Sequence, residues 1–173
     1  MSDRYIDFVN SPLGQMLAKN LGLPAPLALD RFDAAAPVVK GGVLVGAAAG
    51  SDLTAAITQV LANIKAEVLA AADSSVHSFF SPVIRKLANS ARIIVIGRTP
   101  ELCDDPKYAT AQRALEGFTR AIGKEAKKGA TAQVIYVAPG AEAGLESTLR
   151  FYISPKSAHV SGQVVRIAAT DIA

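Results

Sequence analysis

A regular alternation of short apolar runs with amphipathic stretches extends from Gly41 to the end of the chain and constrains the fold more than any other feature. The apolar runs predict five strands, at residues 42–46, 67–72, 92–97, 132–138 and 162–168. Amphipathic helices are predicted between them, the longest at residues 108–128 with Ala111, Leu115, Phe118 and Ile122 facing inward. Apolar strands separated by helices are typical of a parallel sheet covered on both faces. The pattern therefore predicts a three-layer α/β fold.

The order of the five predicted strands follows from the handedness of their connections. Parallel strands are joined by right-handed crossovers, so the order 1-2-3-4-5 would place every helix on one face of the sheet. The order 2-1-3-4-5 covers both faces and corresponds to a flavodoxin-like or truncated Rossmann sheet. We favour 2-1-3-4-5. The first order stays open, because the N-terminal segment could cover a bare face.

Residues 1–39 differ from the rest and are predicted to be a helical arm and linker, followed by the α/β domain at 40–173. Ser11 and Pro12 are typical of the start of a helix, as a cap followed by proline at the first position. Gly22 is typical of its end, and Pro24 and Pro26 prevent it from continuing. We expect this arm to pack against something larger.

Composition excludes several classes of function. Half of the 173 residues are hydrophobic, and the net charge of +3 is too small for a nucleic-acid-binding stripe. Cys103 is the single cysteine, and His77 and His159 lack ligand spacing, so no metal site is predicted. No signal peptide or membrane-length apolar run is present in the sequence, and we expect a cytoplasmic location.

The second half of the chain contains an ordered series of short motifs: Tyr108 near the start of the long predicted helix, then Gly117-Phe118-Thr119, Pro139-Gly140 and Ser161-Gly162. Over residues 90–172 this series resembles the short-chain dehydrogenase/reductase family. That family has an active-site Tyr-x-x-x-Lys on a long helix, then Gly-Phe-Thr, a strand ending near Pro-Gly, and a last strand opening with Thr-Gly. The matching residues here are Tyr108, Gly117, Phe118, Thr119, Gly123, Glu125, Pro139, Gly140, Ser161 and Gly162. The resemblance implies a Rossmann-type fold related to ketone reduction.

The catalytic residues implied by this resemblance are incomplete. The family lysine four residues after the tyrosine is Gln112 here, and an amide cannot lower the pKa of Tyr108 or hold a nicotinamide ribose. Arg98 and Thr99 stand where the family has its serine, so Thr99 provides a hydroxyl only in a shifted register. We expect Tyr108, Gln112 and Thr99 to be vestigial and Cys103, beside two aspartates, to have a raised thiol pKa.

The cofactor-binding residues are also altered. Gly46 and Gly50 survive from the glycine-rich first turn, but its third glycine is Asp52, a residue suited to capping a helix and to repelling a pyrophosphate. Pro139 and Gly140 are expected to end a strand rather than to contact nicotinamide. We therefore expect these residues to be vestigial and this chain to bind no cofactor.

Four further segments are Phe8–Ser11, Phe79–Val83, Gln112–Thr119 and Gly144–Thr148. With the altered motifs, they resemble one group within the family, the high-molecular-weight 3-oxoacyl-acyl-carrier-protein reductases. Their degenerate N-terminal domain precedes an intact reductase domain that uses NADH or NADPH in fatty-acid biosynthesis. The resemblance implies that a catalytic domain follows Ala173 in a parent protein, and that this chain is a non-catalytic docking or oligomerisation module. The alternatives left open are a flavodoxin-like protein that binds FMN or a phosphate ligand, and a free-standing reductase.

A second stripe on the long predicted helix is the candidate interface. It consists of the small residues Ala114, Gly117 and Ala121, flanked by Arg113 and Lys124. Because glycine inside a helix costs about 1 kcal/mol relative to alanine, Gly117 suggests the close approach of another backbone. The expected partner is the C-terminal reductase domain of the parent, or a second copy in a homodimer.

Overall fold

The computed structural model of this protein describes residues 4–22 and 29–168, and it confirms an α/β fold with parallel strands. The described strands are β1 Val43–Ala47, β2 Val68–Asp73, β3 Arg92–Arg98, β4 Thr131–Val137 and β5 Gln163–Ile167. The described α-helices are α1 Arg4–Val9, α2 Pro12–Leu21, α3 Thr54–Asn63, α4 Val76–Val83, α5 Pro106–Glu125 and α6 Leu145–Tyr152. None of these helices combines the length and the apolar content needed to cross a membrane.

The described strands form two parallel sheets, and the prediction of one five-stranded sheet is wrong in this respect. One sheet has the order β1-β2, and the other has the order β3-β4-β5. The pairs shared by both predicted orders are formed, but the described strands show neither a β1–β3 nor a β2–β3 pair. The apolar pattern of each strand predicts that it is buried. It does not specify whether the next strand approaches closely enough for backbone hydrogen bonds.

Side chains of α3 join the two sheets. Leu53, the N-cap of α3, and Val60, inside α3, pack into one apolar cluster with Val137 of β4 and Leu149 of α6. On the same side, Asn63 Nδ2 donates a 2.8 Å hydrogen bond to Glu146. The first sheet is therefore attached to the second through its helix rather than through strand pairing.

Strand β4 is the centre of the larger sheet, and all seven of its residues are buried. Apolar clusters cover its two faces: Ile135 and Val137 pack with α3 and α6, whereas Val134 and Tyr136 pack with residues of α5. The buried Gln133 is satisfied because its Oε1 accepts a 3.0 Å hydrogen bond from the backbone N–H of Gln163. This arrangement fixes β5 beside β4 and places the carboxyl ends of β3 and β4 together.

Helix α5 begins at Pro106, two residues before the predicted start. Asp105 caps it by accepting a 2.9 Å hydrogen bond from the Lys107 N–H, and the helix ends at Glu125 rather than at Lys128. Leu115, Phe118 and Ile122 face inward as predicted. Ala111 is exposed, and the neighbouring Gln112 turns inward instead. The periodicity correctly identified the face but misplaced its first turn.

The ends of α4 and α2 are set by their caps. Helix α4 has Ser75 as its N-cap, ends at Val83 and continues as a short 3₁₀ turn, Ile84–Lys86. In the arm, Ser11 caps α2 and Gly22 ends it in the left-handed conformation, as predicted. Pro24 and Pro26 lie outside the described residues.

Candidate functional site

The candidate site lies at the carboxyl ends of β1, β3 and β4, where open α/β sheets bind their ligands. Asp52 follows β1 in the turn that leads into α3, and Arg98 is the last residue of β3. Glu142 follows β4 in a short 3₁₀ turn. Three charged residues far apart in sequence are thus brought to one edge of the fold, and we refer to Asp52, Arg98 and Glu142 as the Arg98 cluster.

The Arg98 guanidinium pairs with both carboxylates of the cluster. Its Nη2 lies 2.6 Å and its Nε 3.0 Å from Oδ2 of Asp52, while Nη1 lies 2.7 Å from Oε1 of Glu142. Nη1 also lies 3.3 Å from the carbonyl oxygen of Ala138. The Arg98 side chain is only 12% exposed, so the guanidinium fills the space between the strand ends.

The electrostatics of the cluster are those of a closed, acidic site. A hydrogen bond from Arg98 lowers the pKa of Asp52, and backbone hydrogen bonding together with Arg98 lowers the pKa of Glu142. Burial acts to lower the pKa of Arg98, but its hydrogen bonds to both carboxylates raise it above its ordinary value. With all three groups ionised, the cluster carries one negative charge in excess and disfavours a phosphate group.

Asp52 does not cap α3, contrary to the expectation from its position. The N-cap of α3 is Leu53, and no side-chain hydrogen bond is made there. The carboxylate instead turns toward Arg98, a pairing partner 46 residues away. The contacts with Arg98 are charge-assisted hydrogen bonds, which are stronger than hydrogen bonds between neutral groups. Asp52 nevertheless occupies the turn where the glycine-rich loop of a nucleotide site would lie.

Gln112 has a structural role that a lysine could not perform. Its Oε1 accepts a 2.8 Å hydrogen bond from the backbone N–H of Arg98. The amide lies against Gly97, where an added Cβ would come within 2.3 Å of Oε1. Because an ammonium group cannot accept a hydrogen bond, this contact requires an amide or a carboxylate.

Tyr108 and Thr99 do not form an acid–base pair with Gln112. Tyr108 is 46% exposed in the first turn of α5, and burial together with the negative charge of Asp52 raises the pKa of its phenol. A general acid would need a lowered pKa at neutral pH. Thr99 is buried, and its backbone N–H donates to the carbonyl of Val137 at 3.4 Å.

The surviving glycines of the cofactor motif have structural explanations. A Cβ at Gly46 would lie 2.3 Å from the Phe79 ring, so glycine lets α4 approach β1. Gly50 and Gly140 have φ of 74° and 80°, a region that glycine adopts without strain. Pro139 is exposed in the turn that follows β4. Arg98 contacts both Asp52 and the carbonyl of Ala138, the residue that precedes Pro139.

The candidate interface on α5 is open to solvent. Ala114, Gly117 and Ala121 are exposed, and a Cβ added at Gly117 would have no atom of the chain within 4 Å. Arg113 pairs with Glu116 at 2.8 Å, and Lys124 is exposed in the last turn. The close backbone that Gly117 suggested is not another part of the described chain. A shallow depression of about 570 Å³ lies beside the stripe, lined in part by Pro100, Ala109 and Thr110.

Two sets of charged residues have no signal in the sequence pattern. Glu142 belongs to no motif, and Arg98 is recognisable only as the residue at the serine position of the family motif. Glu101 pairs with Arg166 and Arg113, and these contacts lower the pKa of Glu101 to about 2. No sequence pattern connects residues separated by as many as 65 positions.

The remaining reactive side chains do not form a site. Burial raises the pKa of the Cys103 thiol, with a further contribution from Asp104, in the direction predicted. Among residues 4–22 and 29–168, no three histidine, cysteine or acidic side chains are grouped closely enough to hold a metal ion.

Comparison with known proteins shows the fold but not a sequence family. The chain matches no protein-family profile and no curated protein sequence. It is similar in structure to a short chain dehydrogenase from Mycobacterium smegmatis, with a TM-score of 0.52, 14% identity, and coverage of 83% of this chain and 98% of that one. The chain therefore shares the α/β fold of that protein.

A second solved structure is similar over a smaller part of the chain. This is LugOII, a promiscuous reductase that catalyses keto-reduction at C1 during lugdunomycin biosynthesis. The TM-score is 0.46 and the identity 21%, over 53% of this chain. The chain spans 42% of the length of LugOII.

Proposed function

We propose that this chain is the non-catalytic N-terminal module of a 3-oxoacyl-acyl-carrier-protein reductase. In this proposal residues 1–39 are an arm and residues 40–173 a degenerate dehydrogenase fold, while a separate catalytic domain uses NADH or NADPH. The substrates of the parent are 3-oxoacyl thioesters of fatty-acid biosynthesis. The module itself contributes docking, either on the catalytic domain or on a second copy.

The observation that carries the proposal is the closure of the strand ends by Arg98. A dinucleotide site needs backbone N–H groups open toward a pyrophosphate and a cation near the nicotinamide ribose. Here Asp52 places a carboxylate in the first turn, and Arg98 is already paired with Asp52 and Glu142. Gln112 provides no charge. The residues present therefore do not fit NADH or NADPH, and no reaction step is assigned to this chain.

The flavin alternative requires a phosphate loop after β1. In the structure this loop turns through a 3.0 Å hydrogen bond from the Ser51 N–H to the Ala48 carbonyl, and its next residue is the carboxylate of Asp52. The carboxylate of Asp52, which is already paired with Arg98, would therefore repel a phosphate bound in this loop. The same feature that opposes a dinucleotide opposes FMN.

Calorimetric titration of the purified chain with NADH, NADPH and FMN tests the proposal directly. We expect no binding in the low micromolar range, which corresponds to about −8 kcal/mol. We also expect no reduction of acetoacetyl-CoA by the chain with either nicotinamide cofactor. Tight binding of FMN would establish the flavin alternative, and turnover that Tyr108→Phe abolishes would establish an active reductase.

Two variants of Gln112 test whether the closed strand ends, and not only the missing lysine, prevent cofactor binding. Gln112→Lys restores the residue of the catalytic motif but removes the acceptor for the Arg98 N–H, so we expect lower stability and still no cofactor binding. Gln112→Glu retains an acceptor and serves as the matched control for that hydrogen bond. Micromolar NADPH binding by Gln112→Lys would show that the strand ends are not closed.

A further inference from the structure

Exposed basic residues collect at the amino ends of β3 and β4, the edge of the larger sheet opposite the Arg98 cluster. Two segments of the chain meet at this edge: residues 84–91, which lead from α4 into β3, and residues 122–130, which lead from the last turn of α5 into β4. Five basic side chains in these segments are exposed: Arg85, Lys86, Lys124, Lys127 and Lys128. We call these five residues the basic rim. Glu125 is the single carboxylate of the two segments.

Packing between the two segments makes the basic rim one surface. One apolar cluster contains inward-facing residues of both segments: Ile84, Leu87, Ile122 and Ala126. The backbone N–H of Ser90 also donates a 2.8 Å hydrogen bond to the carbonyl of Lys128. These contacts hold the turn after α4 beside the end of α5. The exposed cations of both segments therefore stand on a common apolar base.

Within the part of the chain that the structure describes, no residue of the basic rim forms an ion pair. Five arginines elsewhere in the fold do pair with carboxylates: Arg98, Arg113, Arg120, Arg150 and Arg166. The helix dipole favours a cation in the last turn of α5, which accounts for Lys124. It does not account for Lys127 and Lys128, which follow the end of the helix.

The basic rim is a local excess of positive charge. It carries five cations beside one carboxylate, whereas the complete chain has a net charge of only +3. The rest of the sequence is therefore net negative. At the opposite edge of the larger sheet, acidic residues follow the strands: Glu101, Asp104 and Asp105 after β3, and Glu142 after β4. A field of one sign over a limited surface attracts a partner of the opposite sign and accelerates its association.

The composition of the basic rim distinguishes between classes of anionic partner. Residues 84–91 and 122–130 contain no aromatic residue to stack on a nucleic-acid base and no exposed large apolar side chain to enter a membrane surface. Four of the five cations are lysines, whereas bidentate recognition of phosphate favours arginine. Glu125 would repel a phosphodiester backbone but can pair with a cation on a protein. The basic rim therefore fits carboxylates spread over a protein surface.

We propose that the basic rim is a docking surface for an acidic protein. A second copy of this chain fits less well, because its acidic residues lie at the opposite edge. Contacts between rim and edge would be head-to-tail and would leave both surfaces free at the ends of an open chain. The basic rim shares only Lys124 with the candidate interface on α5 and no residue with the Arg98 cluster. Its test needs neither a catalytic domain nor a cofactor, so it is independent of the proposed function.

Binding of a labelled polyglutamate peptide to the purified chain, followed by fluorescence anisotropy, tests this docking surface. Polyglutamate supplies the carboxylates of an acidic protein without any apolar side chain. We expect saturable binding at low salt that weakens as sodium chloride is added, because salt screens exposed ion pairs. Arg85→Glu/Lys86→Glu and Lys127→Glu/Lys128→Glu should each weaken binding about tenfold, because each loses two ion pairs and gains two repulsions. A loss in only one of the two variants would show that the segments do not act as one surface, which overturns the proposal.

Arg4→Glu/Lys107→Glu is the matched control, because it changes the net charge equally at two exposed residues outside the basic rim. Both residues lie in the first turn of a helix, where glutamate is favourable. We expect this variant to change the dissociation constant by less than about threefold. A loss as large as that of the rim variants would show attraction to net charge alone and would overturn the proposal, as would the absence of binding at low salt.

Three further measurements test the class of partner. A DNA duplex and phosphatidylglycerol vesicles replace the peptide in the same titration, and we expect each to bind more weakly than polyglutamate at equal salt. Tighter binding of either one, lost in both rim variants, would make nucleic acid or membrane the partner and overturn the proposal. By light scattering at low salt, we expect the chain alone to keep its monomer mass. Self-association that both rim variants abolish would make a second copy the partner, which also overturns the proposal.

Discussion

Nη2 of Arg98, the last residue of β3, lies 2.6 Å from Oδ2 of Asp52, which is 46 positions away in the turn that follows β1 of the other sheet. Because the described strands of the two sheets share no backbone hydrogen bonds, this ion pair is a direct polar connection between them. The same guanidinium reaches Glu142 beyond β4. One side chain thereby joins the two sheets and closes the edge where a ligand would enter.

Replacement of Arg98 by methionine tests this connection. Methionine keeps most of the apolar stem but removes two charge-assisted hydrogen-bond partners from a position that is 12% exposed. We expect the free energy of unfolding in urea to fall by about 1–3 kcal/mol. Because solvent screens the exposed carboxylate of Asp52, the loss should lie below the upper end of this range. Arg120→Met is the control: Arg120 is 61% exposed and 3.9 Å from Glu116, so a change within about 0.5 kcal/mol is expected. Equal effects of the two substitutions would contradict the role of Arg98.

The Arg98 cluster also predicts a dependence of stability on acid. The pKa values of Asp52 and Glu142 are lowered in the folded chain, so their stabilisation is present above the unfolded-state pKa values of about 4 and is lost as pH falls through the lower, folded values. We expect the difference in unfolding free energy between the unmodified chain and Arg98→Met to shrink below about pH 4. Urea titrations from pH 7 to 3 measure this. A difference that stays constant with pH would argue against the ion pairs.

The sequence predicted the elements of this fold well because their signals are local. The cap Ser11, the stop Gly22 and the apolar runs of the five strands each depend on neighbours within a few positions, and each was located to within a few residues. The predicted start of α5 is two residues late because its cap, Asp105, and its first residue, Pro106, precede the apolar periodicity from which the helix is predicted. Strand pairing between the sheets depends on long-range approach, which periodicity does not encode.

The candidate site was predicted in part for the same reason. Asp52 and Gln112 stood out as departures from a motif, and both lie in contact with Arg98. The role of Arg98 itself was not predicted, because a single arginine at a strand end has no pattern. The pairing of Glu142 with Arg98 depends on the three-dimensional structure, in which the turn after β4 lies beside the end of β3. Departures from a motif therefore located the site, and the structure supplied its chemistry.

Tyr136 gives a prediction at the opposite end of the pH range. Its side chain is fully buried, its hydroxyl donates a 2.7 Å hydrogen bond to the Gln112 carbonyl, and burial raises its pKa to about 12. Since the unfolded phenol titrates near 10, stability should fall as pH rises above about 10, where only the unfolded state loses the proton. Tyr136→Phe should cost about 0.5–1.5 kcal/mol at pH 7 and weaken that alkaline fall. Tyr108→Phe, at an exposed residue, should stay within about 0.5 kcal/mol at pH 7.

Gly97→Ala is expected to destabilise the chain, although replacing glycine by alanine inside a strand usually stabilises a protein. An added Cβ would lie 2.3 Å from Gln112 Oε1 and 2.8 Å from Leu115 Cδ1, so Gly97→Ala must displace the amide that binds the Arg98 N–H. We expect a loss of about 1–3 kcal/mol in unfolding free energy, measured in urea. If Gly97→Ala is as stable as the unmodified chain, the close packing of Gln112 on β3 is wrong.

Gly117 separates a docking surface from a merely solvated helix face. Because a Cβ there meets nothing within 4 Å, Gly117→Arg should leave the isolated chain intact and raise its stability by up to about 1 kcal/mol through better helix propensity. In the full-length parent that we propose, the same side chain would stand between α5 and a docked domain, so we expect a lower association state by light scattering and a reduced reductase rate. Gly117→Ala adds only a methyl group and is the matched control. If Gly117→Arg leaves both the association state and the rate of the parent unchanged, then α5 is not the docking surface.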